Sequence, residues 1–507
     1  MPWGFYGRND ELHRLQAILA RNRWYFVKVT GRRRIGKTAL IQRALQTGQR
    51  VFYVQVPDSG PVGVLSAVAD QMDTFEIPAT EFPRPRTLQE LARLVGNLAR
   101  AGYAVALDEF QYFNRERLRD FCSLLQAEVD QLSTQASRIP GGLLVLGSIH
   151  TEMAALLQER HAPLYNRTTD ELELGHLDVE SVLEILRQHT TVDPERLLFL
   201  WALFEGVPKF YRDCFEQGVL RAPRRELLER AFFASSSPLR TEADNWFLKE
   251  LHGRYDAILK FVARKPGCTN GELLEHVRQV SADTQEQVGG YLKVLIEKYR
   301  IIEKRLPIFA KKTERQGRYY LTDNFLRAWL AALASPVSAM AFRQLELVVR
   351  QADEKLAEVE GPALEKLVAT LYEERSRKGI GDFRLTERVQ GYWDRADTEI
   401  DMVAVAGEDE ILRLVTCKRS PEKLVADLPR FDGHVARFVT ASPRFGGWKI
   451  EKVAVAPSLD ESARRRDRGA GLHPRGPERP DPGPAGAGED GPVTSGDRAP
   501  RETTGPR

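Results

Sequence analysis

The chain has 507 residues, 42% hydrophobic and 29% charged, which is ordinary for a folded protein and long enough for three or more domains. It has no run of about eighteen apolar residues and no basic-then-apolar start of the signal-peptide kind, so neither a membrane span nor secretion is predicted and the expected location is cytoplasmic. A net charge of +3 makes no whole-molecule case for nucleic acid, and four cysteines without a C-x-x-C pair predict neither a zinc site nor a disulfide framework.

The first predicted strand, residues 24–29, is apolar and aromatic apart from Lys28, and it runs into GRRRIGKT at residues 31–38. That spacing fits a phosphate-binding loop followed by a helix. Gly31 and Gly36 let the backbone wrap a pyrophosphate, while Lys37 reaches the β- and γ-phosphates and the Thr38 hydroxyl ligates Mg²⁺. Arg32, Arg33, Arg34, Ile35 and Ala39 complete the segment that faces ATP. Further apolar runs at residues 50–56, 103–110, 142–149 and 168–177 leave room for helices between them. Alternating strands and helices predict an α/β fold with a doubly wound parallel sheet.

The third of these strands ends in Asp108-Glu109, where such a sheet places its second chemical group. Asp108 is the candidate for the Mg²⁺ shell and Glu109 for polarising the attacking water, with a capping role as the plainer alternative for the pair. The fourth strand ends at Ser148, a position from which a hydroxyl can sense the γ-phosphate or place water. Arg160 and Arg167 precede the fifth strand; either can neutralise a transferring phosphoryl group, and either can equally form a surface salt bridge.

FYGRNDEL, GRRRIGKT, ALDEFQ, LGSIHTEM and PLYNRT, in this order and at these distances, resemble the archaeal-type ATPases of the AAA+/STAND group of P-loop proteins. The resemblance implies that Gly7 and Arg8 lie on the adenine side and favours Arg167 over Arg160. It also implies a helical lid whose EGVPKFY segment, residues 205–211, brings Pro208 near the nucleotide. Residues 1–177 are thus expected to form the ATPase core and 178–248 the lid.

From residue 249 to about 335 the helix, turn, helix, turn, longer helix and basic hairpin predict a winged helix-turn-helix. Lys293, Lys298, Arg300, Lys304, Arg305, Lys311, Lys312, Arg315 and Arg318 could follow a DNA backbone, or the module could only pack against its neighbours. Residues 336–460, with one helix opening at GPALEKLVATLYEE, resemble the restriction-endonuclease-like domain that often ends such ATPases. Asp401 and Lys418 match its metal-binding pattern, but Thr416 stands where an active site carries Glu or Gln; Glu365 or Glu399 would have to compensate. This predicts a fold kept for binding more than a nuclease. Residues 461–507, rich in Arg, Pro, Gly and Ala, are expected to be disordered.

Together these readings predict an ATP- and Mg²⁺-dependent ATPase acting as a nucleotide switch linked to double-stranded DNA. An ATP-gated DNA nuclease and a DNA regulator that holds ATP without turnover are the alternatives. The oligomeric state is not legible.

Overall fold

The computed structural model describes residues 2–45, 50–148, 150–237, 239–240, 242, 255–280, 288–311, 316–458 and 473–474. Its N-terminal part is a five-stranded parallel sheet of β1 (Tyr25–Gly31), β2 (Arg50–Gln55), β3 (Tyr103–Asp108), β4 (Gly142–Gly147) and β5 (Asp170–Leu174), in the order β2-β3-β4-β1-β5. The helices around it are α1 (Asn9–Leu19), α2 (Lys37–Leu45), α3 (Pro61–Thr74), α4 (Leu88–Arg100), α5 (Asp120–Thr134) and α6 (His150–Leu157).

Alternation along each strand builds two cores. Tyr25, Val27 and Val29 of β1, Ala104 and Ala106 of β3 and Leu144 and Leu146 of β4 enter one cluster with α1 and α2. Phe26, Val105, Leu107, Leu143 and Val145 enter the other, with α3, α4 and α5. A sheet covered on both faces needs apolar residues at every position, which is why these strands read as continuous hydrophobic runs. The exception, Lys28, is buried and satisfied by Glu171 of β5 at 2.7 Å. The predicted doubly wound sheet is therefore present.

Four helices follow: α7 (Val179–His189), α8 (Pro194–Phe204), α9 (Pro208–Glu216) and α10 (Arg224–Leu228). Asp178 and Asp193 cap α7 and α8 by accepting from Ser181 N and Arg196 N. Next come α11 (Asp256–Arg264), β6 (Cys268–Thr269), α12 (Asn270–Val280), α13 (Val288–Lys293), β7 (Ile302–Arg305) and β8 (Arg318–Leu321), with β8 at the centre of a three-stranded antiparallel sheet. Two short helices, α14 (Asn324–Ala328) and α15 (Ala334–Ala339), lead into α16 (Leu345–Arg377).

The expected helix opening at Gly361 is the second half of α16, which has 33 residues and carries Pro362 in its interior. Gly361-Pro362 reads as a helix breaker, yet Val359, Glu360, Ala363 and Leu364 on either side of it are buried, and that packing holds the helix through the missing N–H.

The chain then forms β9 (Gln390–Trp393), β10 (Glu399–Ala406), β11 (Ile411–Cys417), α17 (Pro421–Ala441) and β12 (Lys449–Val455). β9, β10 and β11 are antiparallel neighbours, whereas β12 runs parallel to β11. Met402, Ala404 and Ala406 face the same continuous core as the first sheet and α16, while Val403 and Val405 face α17. The expected tail, 461–507, lies outside the described residues except for β13 (His473–Pro474), which pairs in parallel with β12. Among the described residues no helix is long and apolar enough to cross a membrane.

Candidate nucleotide site

The loop between β1 and α2 lies at the C-terminal edge of the parallel sheet. Gly31 approaches β5 so closely that a Cβ there would lie 2.6 Å from the Leu174 carbonyl, so only glycine fits. The Lys37 ammonium spans the loop and donates to the carbonyls of Gly31 and Arg32, both at 3.0 Å. Burial pulls Lys37 down to about 8, against the opposing fields of Glu109 and Asp108. Phosphate oxygens beside it would restore the full charge.

Thr38 and Asp108 meet across the sheet edge: the Thr38 hydroxyl donates to Asp108 Oδ2 at 2.7 Å. Tyr53 of β2 donates to the same oxygen at 2.7 Å, and the Glu109 N–H donates to Oδ1 at 2.8 Å. Burial first and Asp108 second raise the Tyr53 phenol, so it stays a donor. A hydroxyl and a carboxylate oxygen in contact are the hard donors that Mg²⁺ takes beside phosphate oxygens, so this pair fits the ion.

Glu109 adopts a left-handed backbone conformation (φ 56°, ψ 37°) and opens a short 3₁₀ turn, Phe110–Asn114. Its carboxylate accepts from Ser148 Oγ at 3.2 Å and from the Gln111 amide. The structure thus brings Lys37, Thr38, Asp108, Glu109 and Ser148 together.

Other expected residues are placed differently. Arg8 turns to the loop, donating to the Ile35 carbonyl at 3.3 Å and pairing with Glu11 at 2.9 Å; its neighbour Gly7 packs against Ser181. Pro208 starts α9 and would lie 3.7 Å from a Cβ on Gly36, which puts the start of α9 against the β1–α2 loop. Arg167 is not brought to the cluster. It is held by Asp130 of α5 at 2.7 Å and by the Tyr165 carbonyl at 3.1 Å, an exposed ion pair of the kind its sequence also allowed. Arg160 is exposed.

Of the three loop arginines only Arg33 is exposed. Arg34 pairs with Glu242 at 2.8 Å and Asp213 at 3.3 Å, both buried acids. Arg32 pairs with Asp323 at 2.6 Å, and Asp323 also caps α14 through Leu326 N. His176 lies between Asp323 and Glu205, and Lys366 of α16 reaches Glu205 at 2.6 Å. Burial opposes ionisation of Glu205, yet His176 and Lys366 hold its carboxyl well below the usual range.

His176, Glu205 and Asp323 offer ligand atoms within 4.8 Å of one another. Arg32 and Lys366 already neutralise the two carboxylates, so the cluster is an ion-pair network and not a vacant metal cage. Arg32 and Arg34 were legible as loop residues. Their partners were not, because Asp213, Glu242 and Asp323 come from remote segments with no motif.

In the C-terminal sheet Asp401 Oδ2 accepts from Thr416 Oγ1 at 3.1 Å, Cys417 N at 2.7 Å and Lys418 Nζ at 3.4 Å, while Lys418 also reaches Asp427 at 3.3 Å. Glu365 of α16 is pushed up to about 8 by burial and by Asp401. Glu365, Glu399 and Asp401 line a cavity of about 450 Å³ that also touches His176, Glu205 and the β7–β8 sheet. Of the basic hairpin, Lys312 and Arg315 lie outside the described residues. Lys293, Lys298, Arg300, Lys304 and Lys311 are exposed, whereas Arg305 pairs with Glu303 and Arg318 with Glu399.

A family model described as an AAA domain matches residues 21–149. An uncharacterized protein of Methanocaldococcus jannaschii is 24% identical over 436 residues, covering 84% of this chain and 91% of that protein. Among solved structures, a Walker-type ATPase of Pyrococcus abyssi is similar with a TM-score of 0.50 at 17% identity, covering 64% of this chain and 96% of its own. The ORC2 protein of Aeropyrum pernix, solved as ADPNP and ADP complexes, aligns with a TM-score of 0.45 at 15% identity over 70% of this chain and 95% of its own. The parallel five-stranded sheet has the fold of a P-loop nucleoside triphosphatase, and residues 21–149 within it match the AAA domain model.

Proposed function

We propose that this chain is a Mg²⁺-dependent ATPase whose bound nucleotide sets the arrangement of the ATPase core, the lid and the C-terminal modules, and that it works on DNA. Convergence of Lys37, Thr38, Asp108, Glu109 and Ser148 on one sheet edge supports hydrolysis. In this reading Lys37 and the loop N–H groups hold the β- and γ-phosphates. Thr38 and Asp108 would hold Mg²⁺, which supplies charge neutralisation at the phosphates. Water attacks the γ-phosphorus, its proton passes to Glu109, and the bond to the β-phosphate oxygen breaks; Ser148 orients the reacting groups.

The observation that carries the switch is the Arg32–Asp323 pair. A residue of the phosphate loop is tied to the helix that follows the β7–β8 hairpin, so a change in loop conformation must act on that junction. The order helix, strand, helix, helix, hairpin supports a winged helix at residues 249–335, with exposed Lys293, Lys298 and Arg300 as its phosphate contacts. At residues 336–460 a helix followed by a mixed sheet carrying Asp401 and Lys418 supports a restriction-endonuclease-like fold kept for binding. The Thr416 hydroxyl cannot replace a charged metal ligand. A second reading, an ATP-gated nuclease, is favoured by the crowding of Glu365 against Asp401.

ATP turnover by the wild type, Lys37→Ala and Glu109→Gln, with and without duplex DNA, on a gel that also reports DNA integrity, tests the proposal. Turnover lost in both variants, raised by DNA, with the DNA intact is the expected result. No turnover in the wild type overturns the hydrolase reading, and metal-dependent nicking abolished by Asp401→Ala moves the assignment to a nuclease.

A further inference from the structure

We infer that Gln111 is a positioning residue for ATP hydrolysis, holding the Glu109 carboxylate in place together with Ser148; this rests on the ATPase reading above. Gln111 is 1% exposed, in the turn that follows β3. Its amide nitrogen donates to Glu109 Oε2 and lies 3.4 Å from Ser148 Oγ, which itself donates to Glu109 Oε2 at 3.2 Å. The orientation of the amide follows from chemistry: an ionised carboxylate only accepts, so the NH₂ end must face it.

The other end of the amide shows what the arrangement costs. Gln111 Oε1 is buried and has no hydrogen-bond partner among the described residues. A residue kept only to fill buried space would be served better by an apolar side chain of the same length, which carries no carbonyl to desolvate. The half-satisfied amide is therefore explained by what its other half does at Glu109.

The backbone of β4 is shaped to the same end. A Cβ at Gly147 would lie 2.2 Å from Met153 Sδ and 2.9 Å from Gln111 Oε1, so the absence of a side chain there lets β4 approach and brings Ser148 within reach of the same carboxylate oxygen. Glu109 itself sits at φ 56°, a left-handed conformation uncommon for a residue with a side chain. Two donors from two elements on one oxygen leave Glu109 Oε1 to face the reacting water. Without Gln111 the carboxylate hangs from a strained backbone with Ser148 as its remaining side-chain donor, and a misplacement of about 1 Å is enough to cost on the order of a hundredfold in rate.

The test is Gln111→Met, which keeps length and volume and removes the donor, compared with the wild type and Glu109→Gln. Steady-state turnover, the Kd of adenylyl imidodiphosphate and the Tm are measured on the full chain. The expected result is a kcat lower by about 10- to 100-fold. KM and the analogue's Kd stay within about twofold of wild type because the amide of Gln111 is directed to Glu109 and Ser148 and not to the β- and γ-phosphate side of Lys37, and the Tm is unchanged or higher. A wild-type kcat in Gln111→Met overturns the inference, and so does a fall in kcat accompanied by an equal loss of Tm and analogue binding, which marks a packing role. A wild type that does not turn over ATP defeats the ATPase reading itself and this inference with it, an outcome distinct from an active wild type with an active variant.

Discussion

Arg32 and Asp323 form an ion pair 2.6 Å long in which the two side chains are only 10% and 7% exposed. One belongs to the phosphate loop and the other caps α14. Burying two charges is costly, and the pair repays that cost only while both partners are present.

Asp323→Asn keeps an oxygen for the Leu326 N–H but removes the carboxylate charge that faces Arg32 at 2.6 Å. Loss of one partner of a buried pair costs about 3–5 kcal/mol. Arg32→Met combined with Asp323→Asn is expected to cost less than the sum of the single changes, as read by thermal unfolding in a double-mutant cycle. Additive losses would mean that the two residues do not act on one another, and the coupling proposed between the loop and α14 would lose its physical basis.

Asp108 accepts from both Thr38 and Tyr53 on one oxygen, so Tyr53 fixes the carboxylate from outside the metal position. Removing such an outer partner weakens metal affinity by about 10- to 100-fold. Tyr53→Phe is expected to raise the Mg²⁺ concentration giving half-maximal turnover about tenfold, with kcat at saturating Mg²⁺ close to wild type. An unchanged Mg²⁺ requirement would show that Thr38 and the Glu109 N–H hold Asp108 without help from Tyr53.

Glu374 of α16 accepts from the Val179 N–H with both oxygens, at 3.0 and 2.9 Å, at the start of α7. Burial, with a smaller push from Asp178, raises its carboxyl to about 7. The unfolded value is about 4.3, so the folded state binds the extra proton and stability must fall as pH rises from about 4.3 to about 7, by roughly 4 kcal/mol at most. Glu374→Gln keeps an acceptor and removes the charge. It is expected to match the wild-type Tm at pH 5 and exceed it at pH 8; a parallel offset at both values would show that Glu374 does not titrate in this window.

The first sheet was legible because a strand buried on both faces leaves a continuous apolar run, and the β1–α2 loop because Gly31, Gly36, Lys37 and Thr38 stand at the spacing of a phosphate-binding loop. Asp108 and Glu109 followed from their place at a strand end. Gln111 and Tyr53 carried weaker signals: Gln111 stands two residues after Glu109, and Tyr53 is the polar-tipped aromatic of a neighbouring strand. The network of His176, Glu205, Asp323 and Lys366 had none, since each comes from a different segment and only tertiary packing joins them. Arg167 was favoured by motif position, but Asp130 lies within its reach and a motif cannot report which counterion is nearer. Local punctuation also misplaced the start of α16, where buried neighbours outweigh Gly361-Pro362.

Arg318 holds Glu399 at 2.5 Å and lies 4.5 Å from the centre of the Trp393 ring, whose Nε1 donates to the Gln316 carbonyl at 2.9 Å. The two kinds of contact differ greatly in worth. The ion pair is half-open, with side chains 24% and 48% exposed, and pairs of that kind contribute about 0–1 kcal/mol. Trp393 is 8% exposed, and truncating a buried tryptophan costs about 3–5 kcal/mol. Glu399→Gln is therefore expected to leave the Tm nearly unchanged, while Trp393→Ala lowers it by several degrees. Salt at about 0.5 M should not reproduce the effect of Trp393→Ala, because screening acts on the exposed ion pair and not on the ring. DNA binding through Lys293, Lys298 and Arg300 should weaken steeply over the same salt range. A large loss of Tm in Glu399→Gln, equal to that of Trp393→Ala, would mean that charge and not ring burial docks the hairpin on the C-terminal sheet.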